Sequence, residues 1–267
     1  SCPREPGPMN KYIAILDLRT VVSLASCVLI TWVCLRYGFT YNLNITLFSI
    51  AVVFPLVFTI REAFKRRDTA LEHLSQFKSG LQSAHYAFEQ SPKLPRDDKD
   101  VAAGELSAVA DDFRAVLASD GMDNLAAEER INELIRFVAA RRNYLSNSAT
   151  MKIIRFLQDV HESMENVLSI KRHGTPVSLR AYCLIFVFLF PIVFTPTIAF
   201  NLGTKPAWII YTMSMLHGFI LISLYNVQSQ MENPFDQIGL DDIQLQNFRM
   251  LPMTSTPVVM ENGKVAD

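Results

Sequence analysis

Several kinds of residue that carry chemistry are scarce in this chain, and each scarcity removes a class of function. Four cysteines in 267 residues make no disulfide framework: Cys27, Cys34 and Cys183 fall inside apolar stretches, and Cys2 stands apart from them. Their spacing fits no zinc pattern, so they read as small packed apolar residues. None of the five histidines follows a glutamate by three residues, so the Glu-x-x-His pairs of a di-metal bundle are absent. His161-Glu162 and Glu165 read as a solvated helix face, and His217 as a hydrogen-bonded packing residue. Ten glycines are few and scattered, with no phosphate-cradling loop, and no serine sits in a nucleophile elbow. An enzyme reading therefore has little to stand on. Net charge is −1, so the basic footprint of a nucleic-acid binder is missing. Alternating strand patterns and internal repeats are also missing, which leaves an all-α chain.

The most telling scarcity is local. Residues 20–35, 43–60, 181–200 and 206–225 contain no Lys, Arg, Asp or Glu. A hydrocarbon core about 30 Å thick needs about 20 helical residues, or somewhat fewer where the bilayer thins. Four transmembrane helices are expected, in two closely spaced pairs. Of 25 Lys and Arg, only Arg36 and Lys205 lie in the short turns inside those pairs. Positive residues stay cytoplasmic. Both termini and the long middle segment are therefore expected in the cytoplasm of a multi-pass protein embedded in a lipid bilayer. Asn44-Ile45-Thr46 is formally a glycosylation sequon but abuts the membrane.

The divisions that follow are a polar tail (1–16), spans 1 and 2 (17–60), a cytoplasmic helical domain (61–180), spans 3 and 4 (181–225), and an acidic segment with a C-terminal tail (226–267). Residues 61–180 balance 18 basic against 18 acidic residues, which suits a folded domain. Span 2 lacks a stop signal at its inner end, so one helix is expected over 43–90, kinked at Pro55. SPKLPRDDKD, residues 91–100, reads as a linker. Apolar residues at helical period place further helices at 105–117, 124–145 and 151–171. Gly174-Thr175-Pro176 ends the last of these. Residues 251–267 read as extended or disordered.

Two groups of residues are candidates for function. Ile50, Phe54 and Phe58 lie four residues apart on one face of span 2. Such a stripe is either a lipid-facing or packed surface, or one apolar ring per residue around a pore, where dewetting makes the barrier. A basic cluster follows: Arg61, Lys65, Arg66 and Arg67. At an inner pore mouth it would concentrate anions. Four-residue spacing continues the stripe to Glu62 and Arg66, whereas three-four alternation continues it to Arg61 and Lys65. The second group is acidic: Glu232, Asp236, Asp241 and Asp242 surround a proline and a glycine. Oxygen-rich turns can hold Ca²⁺, but the EF-hand spacing is not met and Pro234 stiffens the turn. At most a weak calcium site is expected.

The order of spans, the segment FSIAVVFPLVFTIREAFKRRDTALEHL (48–74) and the segment MENPFDQIGLDD (231–242) resemble the bestrophins, particularly their short prokaryotic-type and algal-type relatives. Matching Arg66 to the family's Arg after the second span places Ile50, Phe54 and Phe58 on its three apolar neck positions. The family's aromatic pair after that Arg is replaced here by Arg67 and Asp68. The resemblance implies a homopentamer around one pore conducting chloride, bicarbonate and related monovalent anions. Animal members bind activating Ca²⁺ at the acidic segment. The sparser run here leads to the expectation that no cofactor is needed and that calcium is not required. Two alternatives stay open. Glu62 near the neck could favour a cation-conducting channel or transporter, and the helical domain could serve a non-conducting membrane scaffold.

Overall fold

The computed structural model describes residues 17–119, 121, 124–174, 176–203, 206–236 and 242–250. These form seven α-helices: α1 (Leu18–Tyr37), α2 (Ile45–Glu89), α3 (Arg96–Ala118), α4 (Leu125–Ala140), α5 (Asn147–Arg172), α6 (Val177–Leu202) and α7 (Ala207–Gln230). A 3₁₀ turn at Leu245–Phe248 follows, and no strand occurs among the described residues. Helices α1, α6, α7 and the first part of α2 are long and apolar enough to span a bilayer, which makes this an integral membrane protein.

Local chemistry explains the boundaries. The Asn44 side chain caps α2, accepting from the amides of Thr46 at 3.1 Å and Leu47 at 3.4 Å. The sequon asparagine is thus a helix cap. α1 ends where Gly38 takes φ 65°, a left-handed conformation open to glycine, and its amide donates to the Cys34 carbonyl. α2 then runs 45 residues without a break through Pro55, about 68 Å. That matches the expected rod to within a few residues.

Two boundaries differ from expectation. The linker 91–100 is half helix: α3 begins at Arg96, with Pro95 at its cap position and Asp97 and Asp98 in the first turn. Proline suits a helix start, and acidic residues there complement the helix dipole. The helix expected over 124–145 stops at Ala140. Arg141 turns back, its guanidinium 4.2 Å from the Phe137 ring centroid and its Nη2 2.9 Å from Asp98 Oδ1 on α3.

The molecule has two cores. The membrane core joins Val52 and Leu56 of α2 to Cys183, Val187, Phe190 and Phe194 of α6 and to Leu221, Ile222 and Tyr225 of α7. α1 packs on α6 and α7 and does not pack on its sequence neighbour α2. Cys27, Cys34 and Cys183 are buried free thiols that fill space. His217 lies against Phe194, ring centroids 4.1 Å apart, with Nδ1 2.9 Å from the Met213 carbonyl. The second core runs from Ala70 along α2 through α3, α4 and α5, and takes in Phe235, Ile243, Leu245 and Phe248 from the segment after α7. Gly80 lets α2 approach α5 closely: a Cβ there would stand 2.7 Å from Val160 Cγ2. Lys171 ties α5 to the end of α3: its Nζ lies within hydrogen-bond reach of the carbonyls of Val116 (2.7 Å), Leu117 (3.3 Å) and Gly121 (3.0 Å), and of that of Ser119. These carbonyls have no partner inside their own helix or lie just beyond it.

Candidate functional site

One helix passes through both cores, and its two faces differ along its whole length. On one face of α2, Val52, Leu56, Thr59 and Ala63 are buried against the membrane bundle, and Ala70, Leu74, Phe77 and Leu81 against the helices of the second core. Spacings of three and four keep these residues on one side. The opposite side carries Ile50, Phe54 and Phe58, which are 47%, 56% and 54% exposed. The Phe54 and Phe58 rings follow one another along the helix, tilted by 53° with centroids 5.9 Å apart.

The exposed side also answers which basic residues extend the stripe. Arg61 and Lys65 are exposed and continue the line, followed by Asp68, Glu72, Ser75 and Ser79. Glu62 is exposed beside them. Arg66 turns away. It is half-buried, and its Nη2 donates to the Ile170 carbonyl at 3.1 Å on the last turns of α5. Burial pulls its guanidinium below the ordinary pKa, against the opposing charge of Glu232. Arg67 leans to Asp68, with Nη1 3.7 Å from Oδ1. The basic cluster of the sequence thus splits, with Arg61 and Lys65 outward and Arg66 inward.

Val53 and Val57 are 38% and 50% exposed. They flank the exposed side, and the opposite face belongs to Val52 and Leu56.

The acidic segment is folded against the body. Glu232 accepts from Arg180 Nη1 on α6, and its side chain is 14% exposed. The Asn233 side chain accepts from the Phe235 amide at 3.4 Å, and the Ile243 amide donates to the Pro234 carbonyl at 2.8 Å. Phe235 is fully buried, while Asp236 and Asp242 are half-buried. Asp241 lies outside the described residues. Among the described residues no group of three or more His, Cys, Asp or Glu could hold a metal ion. Arg180 already neutralises the Glu232 carboxylate, which disfavours a cation there. The sequence offered no signal for this pair, whose members are 52 residues apart.

No protein-family model matches the chain, and no curated protein matches it. Solved structures do. Three crystal structures of variants of a bacterial bestrophin homologue from Klebsiella pneumoniae superpose with TM-scores of 0.72, 0.72 and 0.73. The alignments cover 86%, 88% and 92% of this chain and 94%, 94% and 95% of the other. Sequence identity is 12–13%. The agreement lies in the path of the chain rather than in its residues, and on that path this protein has a bestrophin-like fold.

Proposed function

We propose that the chain is one subunit of a homopentameric channel, with α2 of each copy facing a central pore that passes chloride, bicarbonate and related monovalent anions. The observation that supports this most is the exposed side of α2. Apolar in the membrane half, it turns cationic at Arg61 and Lys65, then acidic at Asp68 and Glu72 and polar at Ser75 and Ser79, without changing face. Lipid would explain the apolar half alone. A shared aqueous path explains the unbroken change from apolar to charged on one line. Ile50, Phe54 and Phe58 form the neck, where narrow apolar rings dewet. Arg61 and Lys65 form the inner mouth and raise local anion concentration. Arg66 is a tether at that level. The charge asymmetry of the sequence supports placing both termini and the helical domain in the cytoplasm. No catalytic role is assigned, and Glu232, Asp236, Asp241 and Asp242 are read as a segment that does not require calcium.

The second reading, a cation-conducting channel or transporter, is favoured by the exposure of Glu62 beside the stripe. The experiment is reconstitution of the purified chain in planar bilayers under a KCl gradient, together with the mass of the detergent-solubilised oligomer. A five-subunit mass and a reversal potential near that of chloride are expected. A potential near that of potassium moves the protein to the second reading. A monomer without current leaves the scaffold reading in its place.

A further inference from the structure

Prolines leave both α2 and α6 short of a backbone bond. Proline has no amide hydrogen. In α6 the Ile192 carbonyl therefore lacks the helical donor that position 196 would supply, and in α2 the Ala51 carbonyl lacks that of position 55. On α6 the loss is made good from outside the helix. The Tyr41 hydroxyl, in the turn between α1 and α2, donates to the Ile192 carbonyl at 3.1 Å. Tyr41 stands just ahead of Asn44, the cap of α2. One bond thus ties the start of the long helix to the point where Pro196 interrupts its neighbour.

The first turn of α2 rests on α6 as well. The Phe48 ring lies over that of Phe190, centroids 5.8 Å apart and planes 22° from parallel, and 6.4 Å from that of Phe186. Ile50 comes two residues later, exposed on the other side of the helix. The bond missing at Pro55 falls between Ile50 and Phe58, so the helix is weakest just beyond Ile50. The turns that carry Ile50 depend on their own hold on α6. In a ring of copies, the exclusion of water draws facing apolar side chains together. The Tyr41 bond opposes that pull, because its acceptor lies on the helix behind α2.

We infer that Tyr41 is a positioning residue for the neck: its hydroxyl, seated on the carbonyl that Pro196 leaves without a helical donor, holds the start of α2 back and keeps the Ile50 ring from closing. The inference rests on the channel reading. It gives a residue of the turn between α1 and α2 a part in how often the neck is open.

The test is single-channel recording of the full chain in planar phosphatidylcholine bilayers, with solubilised mass as the check on assembly. Y41F removes the hydroxyl alone. Open probability is expected to fall about two- to tenfold, the factor that one ordinary hydrogen bond puts on a two-state equilibrium. The reversal potential should stay at the parent value. The same change in an I50A background should leave open probability where I50A alone sets it, because no bulky ring remains to close. A merely structural role would lower it in both backgrounds. P196A closes the Ile192 carbonyl back into its own helix. It should lower open probability as Y41F does, with the double variant no lower than either, and it stands in for Y41F if that variant does not assemble. A parent protein without current overturns the channel reading and this inference with it. A conducting parent whose Y41F and P196A variants keep its open probability, or a Y41F effect undiminished by I50A, overturns the positioning role alone.

Discussion

Helices α1 and α5 are similar in length and opposite in polarity. The buried residues of α1 are Thr20, Ser23, Cys27, Thr31 and Cys34, while its exposed side carries Val21, Val22, Leu29 and Trp32. The buried residues of α5 include Ile153, Leu157, Val160, Met164 and Val167, while Lys152, Arg155, Gln158, His161 and Glu162 are exposed. The difference follows from the solvent. Water drives apolar side chains of α5 inward. Lipid offers no such drive, so α1 associates through small residues that permit close approach and through a few hydrogen bonds. The Asn226 amide donates to Thr20 Oγ1 at 2.9 Å, and Thr195 and Ser214 share a bond of the same length. Thr31 satisfies its own hydroxyl by bonding back to the Cys27 carbonyl at 2.8 Å. α2 belongs to both regimes, and only its exposed side passes from one to the other. That side is where the pathway is proposed.

The comparison predicts where truncation is costly. Phe77 is fully buried in the second core, its ring centroid 4.8 Å from that of Phe113. Phe77→Ala is expected to cost about 3–5 kcal/mol. A large fall in the melting temperature of the solubilised protein would register it. A fall no larger than that for exposed Val22→Ala would mean that α3, α4 and α5 are not held by this core.

Charge sharpens the contrast. Leu29 lies near the middle of α1 on its exposed side, and Gln158 is exposed on α5. Leu29→Asp should cost about 3 kcal/mol of membrane insertion. Gln158→Asp should change stability by less than about 0.5 kcal/mol. Glycosylation-tag insertion assays for the first and melting for the second give the comparison. Equal tolerance at both positions would show that α1 does not face lipid.

Close packing gives a smaller effect. A Cβ on Gly218 of α7 would clash with Cys27 Sγ on α1. Gly218→Ala is expected to cost about 1–3 kcal/mol. Cys27→Ala opens that space, so the double variant should recover much of the loss rather than add to it. Additive melting shifts would show that the seam is looser than described.

Much of the fold is legible in the sequence because its signals are local. The four charge-free stretches mark the spans, and the lack of any stop after Ile60 marks the length of α2. Pro95 misleads because proline marks a loop and a helix start alike. The end of α4 at Ala140 depends on Arg141 reaching Asp98 on another helix, so nothing local marks it. The candidate site divides in the same way. The spacing of Ile50, Phe54 and Phe58 is a sequence property. The split between Lys65 and Arg66 depends on a carbonyl at Ile170 and a carboxylate at Glu232, both brought near only by folding.

The central claim is that the exposed side of α2 faces water and ions rather than lipid or a packed neighbour. Single-channel recording of the parent and of a variant with Ile50, Phe54 and Phe58 all changed to Ala tests it most directly. An anion passing a narrow apolar ring loses water and gains little in return, so removing the rings should lower the barrier. The account predicts an assembled oligomer with higher conductance or open probability, while Ala at Val21 and Val22, exposed on α1, leaves currents unchanged. A triple variant that conducts like the parent, or that fails to assemble, would contradict it.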